Sequence, residues 1–147
     1  MNRQNRELNP GAFVFATITV IIHALFFVAE SILWLKPYIY QNILSSANST
    51  ISLFEQAKLL EIVFFNQGFY NLFLALGLVA GMISIKRGYF ERGITLLGFC
   101  CLFAVGAGLV LALSAGALLG AALQSGPPMI ALILLYRNKW NNFTAVP

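Results

Sequence analysis

Two ionisable side chains, His23 and Glu30, stand seven residues apart in a stretch of sequence that otherwise carries little but hydrocarbon. Seven residues make about two helical turns, so in a helix both project from one face. Such a pair can exchange a proton with a bound substrate, one group acting as base and the other as acid. A second polar group, NQGFYN at residues 66–71, brings Asn66, Gln67, Tyr70 and Asn71 into another apolar run. Asn66 and Tyr70 are four apart, as are Gln67 and Asn71, which makes one compact patch on a helix rather than a ring. Amides and a phenol are suited to holding a developing oxyanion or steadying a carbocation. Gln124 is the remaining strongly polar side chain within an apolar run.

These groups are positioned by an unusually apolar chain. Its 147 residues are 59% hydrophobic and 10% charged, against averages of about half and about a quarter in globular domains. Four runs, residues 11–35, 59–85, 93–113 and 115–136, reach the roughly 20 apolar residues that a bilayer-crossing helix needs. The expected fold is therefore all-α: one integral membrane domain over residues 1–147, built as a four-transmembrane-helix bundle. The first run follows Arg3 and Arg6 but is too long for a signal peptide and shows no cleavage site, so it reads as an uncleaved first helix. Of nine basic residues, seven (Arg3, Arg6, Lys86, Arg87, Arg92, Arg137 and Lys139) fall at the N-terminus, between runs two and three, or in the tail. Only Lys36 and Lys58 follow run one. Positive residues mark the cytoplasmic side, which predicts both termini there. The net charge of +4 then needs no nucleic acid to explain it.

The segments between runs are short except for residues 38–58. Pro37 ends the first helix, and Trp34, Tyr38 and Tyr40 suit the headgroup level. Within SSANST, Asn48, Ser49 and Thr50 have glycosylation-acceptor spacing, relevant only in a secretory pathway. Ile51, Phe54 and Ala57 recur at helical spacing and suggest an amphipathic lead into run two. KRGYFERG reads as a tight turn bracketed by Gly88 and Gly93. Gly77–Gly81 and Gly116–Gly120 are GxxxG spacings that let helix backbones approach closely. Adjacent Cys100 and Cys101 read as core residues.

Depth brings the polar groups together. Counting about 1.5 Å per residue from the outer ends puts Glu30 roughly 8 Å in, His23 roughly 18 Å, residues 66–71 roughly 10–18 Å and Gln124 roughly 14 Å. Overlapping depths on helices that face one interior imply a single outward-facing polar pocket lined by His23, Glu30, Asn66, Gln67, Tyr70, Asn71 and Gln124. Taken singly, the amides and phenol also fit interhelical hydrogen bonds of about 1 kcal/mol or less. A carboxyl in hydrocarbon costs several kcal/mol and is usually retained for function. Without a cation partner Glu30 is expected to be neutral and to donate to Asn66, Gln67 or Asn71. With one histidine and no aspartate a metal site is not expected, nor is a cofactor. QSGPP, residues 124–128, puts two prolines in run four and predicts a kink that frees carbonyls toward the pocket.

The pieces IHALFFVAESILW, NQGFYNLFLALGL and LQSGPPMIALILL, in this order, resemble the bacterial membrane family called domain of unknown function 1304. The resemblance covers most of the chain and implies a compact four-helix protein of the bacterial inner membrane with no established reaction. The chain departs from it at Ser31, where a bulkier apolar residue is expected, and in a longer N-terminus and tail.

Three functions suit these residues. The pocket binds a small lipid-like or isoprenoid molecule, with a catalytic version in which Glu30 and His23 exchange a proton with it. Alternatively the pair relays protons in a transporter, for which a chain this short needs a homo-oligomer. In the third, the polar groups only set helix register. The topology is testable directly: a reporter fused at the C-terminus should be active only as a cytoplasmic fusion, and labelling of the tail from outside would overturn the orientation.

Overall fold

The computed structural model describes residues 9–44 and 50–143, with side chains as far as Arg137. Arg3, Arg6, most of SSANST with its glycosylation spacing, the Lys139 side chain and the last four residues lie outside the described set. Helix α1, Pro10–Phe27, runs on through a π-helical turn, Val28–Ile32, and is followed by α2, Pro37–Ile43, α3, Leu53–Lys86, α4, Phe90–Ala115, and α5, Leu118–Phe143. No strand occurs among the described residues. Four segments, Pro10–Ile32, Leu53–Lys86, Phe90–Ala115 and Leu118–Arg137, are long and apolar enough to cross a membrane. The chain is a multi-pass membrane protein of four transmembrane helices.

Local chemistry explains the helix ends. Asn9 caps α1, its Oδ1 accepting from the Gly11 N–H at 2.9 Å, and Pro10 occupies the first position, where a missing N–H costs nothing. Pro37 does the same for α2. The expected amphipathic lead is the beginning of α3 itself, started by a capping box. The Ser52 N–H donates to Glu55 Oε2 at 2.9 Å, and the Glu55 N–H donates back to Ser52 Oγ at 3.3 Å. With 34 residues, α3 is about 51 Å long, well beyond the roughly 30 Å of bilayer hydrocarbon. Gly88, at φ 85°, makes the turn into α4. Gly116, at φ 63°, ends α4, in the left-handed conformation glycine adopts without a Cβ clash.

The chain forms two compact units whose boundaries fall inside α1 and α3. One contains the chain up to Ile22 and from Leu74 onward. Its core joins Ala12 and Ala16 of α1, Leu78 of α3, Leu97, Cys101 and Ala104 of α4, and Ala131 and Leu135 of α5. Small residues set the spacing. A Cβ on Gly81 would lie 3.0 Å from the Leu97 nitrogen, and one on Gly108 3.0 Å from the Ala121 carbonyl oxygen. The Gly77–Gly81 pair is thus a real packing face of α3 on α4.

Two sequence expectations change here. Gly93 does not bracket a turn; it lies within α4, where a Cβ would come 2.7 Å from the Gly81 carbonyl oxygen. Gly116–Gly120 is not a packing face either, because Gly116 is the turn residue and has nothing near an added Cβ. Residues 124–128, where the sequence predicts a kink, lie inside α5, which is helical through Pro127 and Pro128. The prolines withdraw two donors, while Ser125 Oγ donates to the Ala121 carbonyl at 2.6 Å.

The other unit, His23–Phe73, combines the end of α1, the π-turn, α2 and the first part of α3. Trp34, expected at the headgroup level, is buried in the protein: it stacks on Phe64 with centroids 3.6 Å apart and donates Nε1–H to the Ala57 carbonyl at 2.8 Å. Tyr40 of α2 and Ala57 complete that core.

The glycine contacts give a paired test. Gly93→Ala should lower stability by about 1–3 kcal/mol, because its methyl group meets backbone that cannot yield. Gly106→Ala, also in α4 but facing open space, should be neutral or raise stability by up to about 1 kcal/mol. Denaturant unfolding in detergent separates the two.

Candidate functional site

The site lies wholly within the His23–Phe73 unit and is organised by one side chain, Asn71, on α3. His23 is fully buried on α1 and Asn71 nearly so. His23 Nδ1 lies 2.7 Å from Asn71 Oδ1. An amide oxygen only accepts, so Nδ1 carries the proton and donates it. The Asn71 Nδ2 then donates twice, to Glu30 Oε2 at 2.8 Å and to the Gln67 carbonyl at 3.3 Å. All of the hydrogen-bonding atoms of the Asn71 amide are therefore engaged, and each of its two ends fixes one ionisable group.

This arrangement sets the chemistry of the imidazole. With the proton on Nδ1, the neutral ring presents a lone pair at Nε2. That nitrogen is buried and makes no hydrogen bond to any described residue. Phe26 meets the ring edge-on, with centroids 5.9 Å apart. A buried polar atom normally has a partner, and leaving one unmatched costs roughly 1–3 kcal/mol. Nε2 is thus a fixed acceptor or base without a proton of its own, the orientation a general base requires.

The backbone that carries Glu30 is irregular. In the π-turn the Leu33 N–H donates to the Val28 carbonyl, five residues back, at 2.9 Å. Single π-turns within α-helices are frequent at functional sites. Ser31, next to Glu30, donates Oγ–H to the Phe65 carbonyl at 2.8 Å. Opposite it is Gly68, where any added Cβ would collide with Ser31 Oγ. The small residues at 31 and 68 let α1 and α3 approach closely enough for Asn71 to reach both His23 and Glu30.

The other residues expected in the pocket are placed differently. Asn66, Gln67 and Tyr70 are exposed on α3, and no hydrogen bond among the described residues joins their side chains to His23, Glu30 or the Asn71 side chain. Gln124 is buried on α5, in the other unit. The hydrogen bond expected between Glu30 and α3 is present, but Glu30 accepts it from Asn71 instead of donating it, a role open to a carboxylic acid and a carboxylate alike. Among the described residues no three His, Cys, Asp or Glu side chains converge as metal ligands would. Sequence reasoning missed Ser31, Gly68 and Trp34 as the parts that support the site. An isolated glycine inside a helical run was the one available signal, since it often marks a close approach.

Removing the Asn71 amide leaves His23 Nδ1–H and Glu30 Oε2 unmatched together. Asn71→Leu should therefore destabilise the protein by about 1–3 kcal/mol, whereas Gln67→Leu, at an exposed side chain, should stay within about 0.5 kcal/mol. Unfolding of both variants in the same detergent checks this.

Comparison with protein-family models matches residues 17–136 to one family, described as a protein of unknown function, DUF1304. No curated protein and no solved structure matches the chain.

Proposed function

The chain belongs to the DUF1304 family, and we propose from the geometry within the matched span that it binds a small lipid-like or isoprenoid molecule bearing a hydroxyl group. The observation that carries this reading is the buried, unmatched Nε2 of His23. Because Nε2 is buried, a ligand hydroxyl reaches it only as neighbouring side chains part, and it then supplies the hydrogen bond that the protein does not. In a membrane such a donor arrives most readily on an amphipathic molecule, whose hydrocarbon tail is at home beside the helices. Asn66, Gln67 and Tyr70 lie on the exposed face of α3 close in sequence to Asn71, where a molecule entering sideways from the bilayer meets their amides and phenol first. The protein acts in the bacterial inner membrane with its pocket facing outward and both termini in the cytoplasm.

The same geometry supports acid–base chemistry on the bound molecule. Proton transfer from the hydroxyl to Nε2 gives an imidazolium whose Nδ1–H already points at Asn71 Oδ1. The Asn71 dipole, aligned by its bond to Glu30, favours that positive charge. His23 is then the base, Asn71 its positioning residue and Glu30 the acid that sets the amide. Transport by proton relay through an oligomer draws less support from this geometry. A relay needs groups that receive and pass on the same proton, and the group between His23 and Glu30 is an amide.

Extraction with native lipids tests the proposal. A hydroxyl-bearing lipid or isoprenoid should co-purify with the wild-type protein about tenfold more than with His23→Leu, the factor that a 1.4 kcal/mol hydrogen bond supplies. Glu30→Gln keeps an acceptor for Asn71 and should therefore fold and retain ligand. Equal lipid content in wild type and His23→Leu would overturn the binding site.

A further inference from the structure

A separate feature lies in the other unit, along α1 and the second half of α3. Phe13, Val14 and Ile18 of α1 and Val79, Met82 and Ile83 of α3 line an open groove of about 740 Å³, within the size range of pockets that hold a small molecule. Its one hydroxyl is already engaged, since Thr17 Oγ1 donates to the Phe13 carbonyl at 2.8 Å. Among the described residues that line it the one charge is Lys86, and none is acidic. The Lys86 ammonium stands 5.8 Å from the centre of the Phe13 ring, a cation–π contact between two residues that line the groove. Lys86 also closes the last turn of α3, and Arg87 follows it.

The groove is therefore polar at one end only. From Pro10 to Ile18 is eight residues and from Val79 to Lys86 seven, so it runs about 10–12 Å along the helices. That approaches the depth of one leaflet, half of the roughly 30 Å hydrocarbon core. The geometry points to a binding site for an anionic phospholipid, its phosphate paired with Lys86 and one acyl chain laid in the groove. A zwitterionic lipid fills the same groove but carries no net charge for Lys86 to attract. Basic pockets between transmembrane helices hold anionic headgroups for this reason. The site shares no residue with the His23–Asn71–Glu30 cluster, so either can fail without the other.

Native mass spectrometry of the protein in nanodiscs of equal phosphatidylglycerol and phosphatidylcholine provides the test. Wild type should retain phosphatidylglycerol in preference, and Lys86→Gln should reduce that preference about fivefold, the worth of one basic residue near a lipid surface. Val14→Trp, which fills the groove, should displace the bound lipid. Lys58→Gln, an exposed lysine paired with Glu61, should change nothing. No preference in wild type, an unchanged preference in Lys86→Gln, or lipid displaced by millimolar inorganic phosphate would each overturn the site.

Discussion

The site depends on the three hydrogen bonds of the Asn71 side chain. Its oxygen accepts from His23 Nδ1 and its nitrogen donates to Glu30 and to the Gln67 carbonyl. An amide is well suited to this place. It offers a donor and an acceptor at opposite ends without a charge to desolvate, and charged groups in hydrocarbon are costly. By using the proton on Nδ1 it decides which imidazole nitrogen is left bare. That choice gives the buried site a direction, with Nε2 as its reactive end.

The rest of the His23–Phe73 unit can be understood as the means of bringing two helices to this distance. A hydrogen bond of 2.7 Å between side chains as short as His and Asn requires close backbones. Gly68 removes a Cβ at the crossing, and Ser31 replaces bulk with a hydroxyl that bonds the Phe65 carbonyl. The π-turn fits one extra residue into its turn of α1, which re-aims Glu30 relative to His23. Beyond it, Trp34 fastens the end of the segment to α3 through Phe64 and Ala57.

Much of this could be read from the residues alone, and what could not has physical causes. Four spans follow from hydrocarbon length, a property of composition, and four helices long and apolar enough to cross a membrane are found. Pairing of the α1 polar face with the α3 amides follows from equal depth. Which amide makes the bond does not, because residues 66, 67, 70 and 71 differ by rotation about the helix axis. That angle depends on how α3 packs, so Asn71 turns inward while Asn66, Gln67 and Tyr70 stay exposed. The π-turn has no residue signature comparable to a proline. The glycines were visible, but their roles depend on the neighbouring helix: Gly81 and Gly93 face each other across α3 and α4, whereas Gly116 serves a turn. The proline pair was read as a kink by local rules, and α5 remains helical through it, since packing along the whole helix outweighs two missing donors.

The chain has a single histidine, which makes the central claim directly measurable. Nitrogen-15 NMR of histidine-labelled protein in bilayers reports both ring nitrogens of His23 and no others. The structure requires a neutral ring protonated at Nδ1, with Nε2 bare and with through-space correlation from the Nδ1 proton to the Asn71 side chain. Replacing Asn71 by Leu should remove that correlation and release the tautomer. A ring protonated at Nε2 with Nδ1 bare in the wild-type protein would contradict the assignment of the reactive nitrogen, and with it the site as described.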